Sequence, residues 1–429
     1  MKKVSFKTLG CRLNQYETDA LVTEFHNGGY RVVGFEENAE ICIINTCTVT
    51  NQSDQKSRNS INQALNKNPG SISVVTGCMV NNIRESLEKN ANITYVVDNK
   101  HKSSIFSLIE AHFKGEVLHP DQLPADVFGF ETVDKSLHTR TSIKIQDGCD
   151  NFCSYCIIPK VRGRALSRSP LEILENVKRV VENGFRELVL TGVNIGRYNF
   201  EGLNFEGLLS MILDLPGDFR IRISSIEPDG FGIDLPKLFH HPKITPHLHL
   251  CLQSGSDSIL LKMRRMYKVS EFMGIIEKFK KEIPDFNFTT DVIVGFPGET
   301  DNDFNETCNI VNDAGFSHIH TFRYSKRNGT RAEKMEEQVP EKIKNERSLV
   351  IRELSDSNKN KYYNSMLGKR QTVLIEKISK KGLAQGYGEH YLPIRFKAST
   401  DELNSFRNII IEKIENIPPL IIKGRSMEE

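Results

Sequence analysis

Cys149, Cys153 and Cys156 fall within eight residues at C-x3-C-x2-C spacing. Three thiolates so placed can grip three irons of a four-iron, four-sulfur cluster. They leave the fourth iron without a protein ligand, whereas an electron-transfer cluster of this type takes four thiolates. An open iron implies that something other than the protein binds there.

Other chemistries fit this spacing less well. A zinc site needs a fourth Cys or His nearby, and His138, eleven positions upstream of Cys149, has no pairing spacing. A two-cluster ferredoxin shows C-x2-C-x2-C-x3-C-P, and no cysteine follows Cys156 at that distance. Disulfides are not expected either. The segment Met1–Lys7 has no apolar core, no apolar run is long enough to span a bilayer, and the cysteine count of nine is odd. These features predict a cytoplasmic protein with no membrane partner. Tyr155 completes C-x3-C-x-aromatic-C, a pattern that resembles the radical S-adenosylmethionine (SAM) enzymes. The resemblance implies SAM as the ligand of the open iron.

The elements that must hold these residues follow from pattern. From Thr141 onward six apolar runs alternate with helical stretches: 142–146, 187–193, 220–227, 247–254, 286–296 and 318–325. Repeated strand and helix predict a partial (β/α)6 barrel, whose active site gathers at the strand C-terminal ends. The cysteine loop follows the first strand directly. The other strand ends carry Gly192, Glu227, Gln253 and Gly295, candidates with Tyr155 for holding SAM; barrel rims are rich in Gly and polar turn residues in any case.

The N-terminal segment repeats strand, turn and helix three times, and each turn holds a cysteine: Cys11, Cys47 and Cys78. This predicts an open parallel α/β sheet, in which loops at the carboxyl ends of the strands lie side by side. Cysteines separated by 35 and 30 residues would then converge on a second metal or cluster site. Nearby helix N-termini would favour thiolate. Cys42 (mid-strand), Cys251 and Cys308 are assigned to the core.

Residues 115–135 read as a linker, and the Lys/Glu/Arg-dense stretch 331–361 as a long solvated helix. From residue 367 short strands at 371–376, 382–387, 391–396 and 409–414 suggest a small β-barrel, ending in Pro418-Pro419. Its eleven Lys and Arg against eight Asp and Glu lean towards RNA, although the whole chain carries only +2.

With both cysteine sets in place, the chain resembles the methylthiotransferase family of radical SAM enzymes over essentially its full length. Thr8-Leu-Gly-Cys11-Arg-Leu-Asn-Gln-Tyr-Glu17, Asn45-Thr-Cys47, Thr76-Gly-Cys78, Gln146–Pro159, Arg162-Gly163, Leu252–Ser256, Val294–Glu299 and Gly329–Ala332 carry the likeness. The resemblance implies a methylthiotransferase domain (1–115), a radical SAM core (135–366) and a C-terminal TRAM domain (367–429). It further implies two [4Fe-4S] clusters, on Cys149/Cys153/Cys156 and on Cys11/Cys47/Cys78, with SAM as radical source and methyl donor. The expected reaction is methylthiolation of C2 of N6-threonylcarbamoyladenosine at position 37 in a tRNA anticodon loop. A flavodoxin- or ferredoxin-like protein would supply the electron; no residue pattern marks a sulfur donor. The alternatives are the same chemistry on isopentenyl-adenosine or on a ribosomal-protein aspartate and, from another class, a non-enzymatic iron–sulfur RNA sensor.

Overall fold

The computed structural model describes residues 1–131, 133, 139–415 and 421–426. Pro418-Pro419, His138 and part of the 115–135 linker lie outside these. The chain forms two compact units. One is Met1–Asn183 with Thr191–Val193 and Ser325–Glu333; the other is Gly184–Leu190, Asn194–Tyr324 and Lys334–Glu429. The (β/α) core divides between them, its first strand and cysteine loop falling in the first unit.

In the first unit, β1 (Lys3–Thr8), β2 (Arg31–Val33), β3 (Ile41–Thr46), β4 (Ile72–Gly77) and β5 (Tyr95–Val97) form one parallel sheet in the order β2-β1-β3-β4-β5. Its short strands β2 and β5 escape the sequence reading, because three residues leave no periodicity to detect. Every residue of β3 and β4 is buried, as expected of β-branched runs in a parallel sheet covered on both faces. Cys42 lies in the apolar layer between the sheet and helices α2 (Asn51–Lys67) and α3 (Val80–Glu88), fully buried as predicted. Register brings Thr46 of β3 opposite Gly77 of β4, so the loops beyond them leave the sheet together. The strand β6 (Arg140–Lys144) precedes the Cys149 loop.

The second unit carries parallel strands at Arg220–Ile223 paired to Glu187–Leu190, and Ser225–Ile226, His247–Leu250, Asn287–Val294 and His318–Arg323 paired in that order. These match five of the six predicted core strands. The helix Glu341–Ser365 differs from its expected solvated character. It packs on His318–Arg323 and buries Lys344, Arg347, Ser348, Ser355 and Asn358. Its inward face is mostly polar, with Ile351 and Tyr363 the apolar exceptions, too few for an apolar-stripe criterion to find it. Arg347, for example, donates to the Glu299 carboxylate (2.6 Å) and to Asp301 (2.7 Å).

At the C-terminus, Arg370–Ile378, Leu383–Tyr387, Pro393–Lys397, Phe406–Glu415 and Ile421–Ser426 close into a five-stranded barrel. The last strand was not predicted from sequence. The barrel's Gly388–Tyr391 turn meets the N-terminal ends of the core strands. Arg220 donates to the carbonyls of Thr372 and Tyr387 (2.7 and 2.9 Å) and Asn287 to that of His390 (2.6 Å). The Arg222 guanidinium sits 4.5 Å over the Tyr391 ring, and His247 packs on the same ring. Glu187, fully buried, balances both arginines.

Burial pushes the His390 imidazole down to about 4. The folded chain therefore keeps His390 neutral down to about pH 4, while the unfolded chain takes up a proton near pH 6.5. Its contribution is complete above pH 6.5 and is lost as the pH falls towards 4, by at most about 3 kcal/mol. His390→Gln should flatten the pH dependence of urea unfolding within that window and leave the slope above pH 7 unchanged.

Candidate functional site

Three loops at the carboxyl edge of the first sheet bring Cys11, Cys47 and Cys78 together. Cys11 is the N-cap of α1 (Arg12–Asn27), with extended backbone and no side-chain cap of its own. Its thiol therefore stands at the positive end of a four-turn helix. Cys47 follows β3, and its backbone is fixed from both sides by Ser57. The Cys47 N–H donates to Ser57 Oγ (3.1 Å), which donates to the Cys47 carbonyl (2.8 Å). Arg327 clamps the same loop through Thr48, Asn51 and Asp54. Cys78 follows β4, with its N–H on the Thr46 carbonyl (3.1 Å).

The approach is tight. A Cβ on Gly10 would fall 2.9 Å from Cys47 Sγ, and one on Gly77 would fall 2.4 Å from the Thr46 carbonyl oxygen. The three thiols are near enough to oppose one another's ionisation. Burial, more than that repulsion, raises the pKa of Cys47 and Cys78. Whatever the helix N-termini contribute, burial holds these two thiols towards the protonated form. A bound metal would reverse that, because ligation selects the deprotonated sulfur.

The Cys149–Cys156 loop is closed on itself. The Cys149 N–H donates to the Gly163 carbonyl (3.1 Å) and that of Cys156 to Cys153 (3.0 Å). Gly148, at φ +69°, allows the Arg164 carbonyl to approach within 2.0 Å of where a Cβ would lie. Phe152 adopts φ +48°, is exposed, and lies under the Arg164 guanidinium. The residues just beyond the loop, Ile157, Ile158 and Val161, share one apolar cluster with Cys78. The two cysteine sets are therefore neighbours within one compact unit.

A buried ionic network joins them. Arg162 donates to Asp147 (2.9 Å), Glu17 (3.0 Å) and Asn14 (2.6 Å). Lys144 reaches Glu17 (2.9 Å) and Asp147 (2.6 Å), and Lys102 reaches Glu17 (2.5 Å) and Asn45 (3.2 Å). Asn14 passes the contact on to the carbonyls of Leu9 (2.8 Å) and Thr46 (3.0 Å), beside Cys11 and Cys47. Burial alone would raise the Glu17 carboxyl. Arg162, Lys102 and Lys144 instead hold it well below the usual range, and Arg162 and Lys144 do the same for Asp147. Sequence reading named Arg162 and Glu17 only as parts of motifs; a lysine inside an apolar strand, Lys144, was the available signal.

Among the SAM candidates, Tyr155 lies half-buried in the cysteine loop, and Gly192 follows Thr191 at a strand end. The Val193 N–H beside Gly192 donates to Gln146 (2.9 Å). In the second unit Gln253 is buried at φ +66°, held through its own N–H and carbonyl by Asp291 and Ile293. Glu227 is engaged by Arg265. Gly295 is demanded locally: at φ +70°, a Cβ there would meet Lys344 at 2.3 Å. Cys251 is buried as expected, yet it groups donor atoms with His249 and Asp291 within 4.8 Å. Cys308 lies half-buried in the helix Asp301–Ala314.

Residues 3–98 match the family described as "Uncharacterized protein family UPF0004", and residues 143–311 match the "Radical SAM superfamily". The threonylcarbamoyladenosine tRNA methylthiotransferase MtaB of Thermotoga maritima is 38% identical over 92% of each chain. The Bacillus subtilis protein of the same name is 37% identical over 96% of this chain and 94% of its own. The chain belongs to the radical SAM methylthiotransferases. The tRNA-2-methylthio-N(6)-dimethylallyladenosine synthase of Fusobacterium nucleatum is 37% identical over 89% of this chain. The solved radical SAM methyltransferase TsrM of Kitasatospora setae, at 15% identity and TM-score 0.56 over 77% of this chain, shares the fold. Membership makes the chain an enzyme rather than a sensor and implies SAM and [4Fe-4S] cofactors.

The residues fit such clusters. All six cysteines carry free thiols. The Asn99 side-chain amide donates to Cys78 Sγ (3.9 Å), a contact that suits a negatively charged sulfur. Gly77→Ala should cost more than about 2 kcal/mol, from left-handed strain plus collision with Thr46 backbone, and should reduce the iron the protein retains. Gly70→Ala, at φ +79° in open space, should cost only about 1–2 kcal/mol with iron unchanged. Urea unfolding and iron analysis of the two variants distinguish these outcomes.

Proposed function

We propose that this methylthiotransferase acts on N6-threonylcarbamoyladenosine at position 37 of tRNA, placing a methylthio group on C2 of the adenine. The observation that carries the reading is the pair of three-cysteine sets, each one ligand short of a closed cluster, fixed side by side by Arg162. Cys149, Cys153 and Cys156 would hold one [4Fe-4S] cluster, and Cys11, Cys47 and Cys78 the other. When bound, the clusters and SAM supply hydrogen abstraction from an unreactive C–H bond and the sulfur and methyl groups to be inserted.

The chain's own residues position. Gly148 and the Gly163 carbonyl fold the first loop, Ser57 and Arg327 fix Cys47, and Asn14 ties the backbone beside Cys11 and Cys47 to Arg162. Tyr155, Gly192, Glu227, Gln253 and Gly295 are assigned to SAM. The C-terminal barrel, net basic, serves the tRNA backbone, and a flavodoxin- or ferredoxin-like protein brings the electron.

The choice of base rests on relatives. Four MtaB proteins align at 37–38% identity over 87–96% of this chain. Dimethylallyladenosine synthases align at 33–37% over 80–90%. Anaerobically reconstituted protein should hold about eight irons, and the Cys11/Cys47/Cys78→Ala variant about four; eight in that variant would remove the second site. Nucleoside mass spectrometry after incubation with tRNA, SAM and dithionite should show methylthiolated threonylcarbamoyladenosine. Methylthio groups on isopentenyl-adenosine or on a ribosomal-protein peptide instead would move the chain to another branch.

A further inference from the structure

Among the described residues, the ionic network that joins the two cysteine sets is not electrically neutral. It holds three cations, Lys102, Lys144 and Arg162, and two carboxylates, Glu17 and Asp147. All five side chains are at most 3% exposed. Burying an unbalanced charge is costly, and two carboxylates with two cations would avoid that cost. The arrangement is also polarised. Lys144 lies at the end away from the second cysteine set, bonded to Asp147 and to the Val127 carbonyl (2.7 Å). The other two cations lie at the end towards it. Arg162 bonds Asn14, which bonds the carbonyls of Leu9 and Thr46, and Lys102 bonds Asn45. Val161, next to Arg162, shares an apolar cluster with Cys78 and accepts from Asn99 (2.9 Å).

A four-iron cluster on three thiolates is anionic, and one-electron reduction adds a further negative charge. A buried cation beside it stabilises the reduced form more than the oxidised one, in a medium that screens poorly. We infer that the excess positive charge of this network serves the Cys11–Cys47–Cys78 site. Arg162 and Lys102 raise the reduction potential of a cluster bound there above what three buried thiolates alone would give. Arg162 is thus a positioning residue with an electrostatic duty, and the same side chain fixes where the first cysteine loop stands. The inference rests on the proposed ligand set.

The test uses full-length, anaerobically reconstituted protein in which Cys149, Cys153 and Cys156 are alanine, so that only the second site can load. Its iron content tests the ligand set: about four irons per chain uphold it, and none removes it. Its potential, by dithionite titration with mediators followed by electron paramagnetic resonance, tests the network. Arg162→Gln and Lys102→Gln should each make the potential more negative. Glu17→Gln should make it less negative, and Arg162→Lys should leave it near the parent value. Glu17→Gln combined with Lys102→Gln, which keeps the net charge, should also return it towards the parent. If Arg162→Gln fails to fold, the Lys102 and Glu17 variants decide. Potentials unmoved by these charges, or moved in the same direction by losing Glu17 as by losing Lys102, would overturn the inference while the iron content still stood.

Discussion

Arg162 cannot be removed from this protein in thought without several other things coming apart. Its guanidinium is buried between two carboxylates from different parts of the first unit, Glu17 on α1 and Asp147 after β6, and it also donates to Asn14. A charge buried that deeply is tolerated only if it is closely paired, so the geometry of α1, of β6 and of the cysteine loop must agree. That agreement places Leu9, Thr46 and Val161, and hence the cysteines next to them. Hydrophobic packing brings the elements into contact; it does not specify their register to the accuracy that two cluster sites require.

The two sites are built on different principles. Cys149, Cys153 and Cys156 come from one tight loop, whose shape is local: a left-handed glycine and two backbone hydrogen bonds. Cys11, Cys47 and Cys78 come from three separate loops, and only a parallel sheet can bring them to one place. The first site is therefore encoded within a few residues and the second within nearly eighty, where Gly10 and Gly77 remove the side chains that would hold the loops apart. Burial disfavours bare thiolates at Cys47 and Cys78, so a metal bound there would be held only by the folded chain and would stabilise it in turn.

Much of this was legible in the sequence, because the chemistry uses residue types at fixed spacing and parallel sheets put like positions together. The cysteine sets, the class of fold and the core position of Cys42 followed from that. The polar interior did not. The inward face of the helix Glu341–Ser365 reads as surface, since charge is normally solvated and only three-dimensional pairing says otherwise; of the buried lysines only Lys144, inside an apolar strand, left a signal. Strands of two or three residues, such as Tyr95–Val97, carry no periodic signal. Glycines with a local steric reason, such as Gly295 against Lys344, cannot be told from glycines that make room for a ligand until the neighbour is seen.

The turn Gly388–Tyr391 bears on how such a chain is put together. A terminal module for gripping RNA could hang from a linker and be gained or lost freely. Here the acceptors for Arg220, Arg222 and Asn287, and the ring that faces His247, are supplied by the barrel. A core without its barrel would expose or strand those donors at the very base of its strands. The last sixty residues are modular to the eye, yet the core has handed them part of its own interior, and the two are constrained to be kept or discarded together.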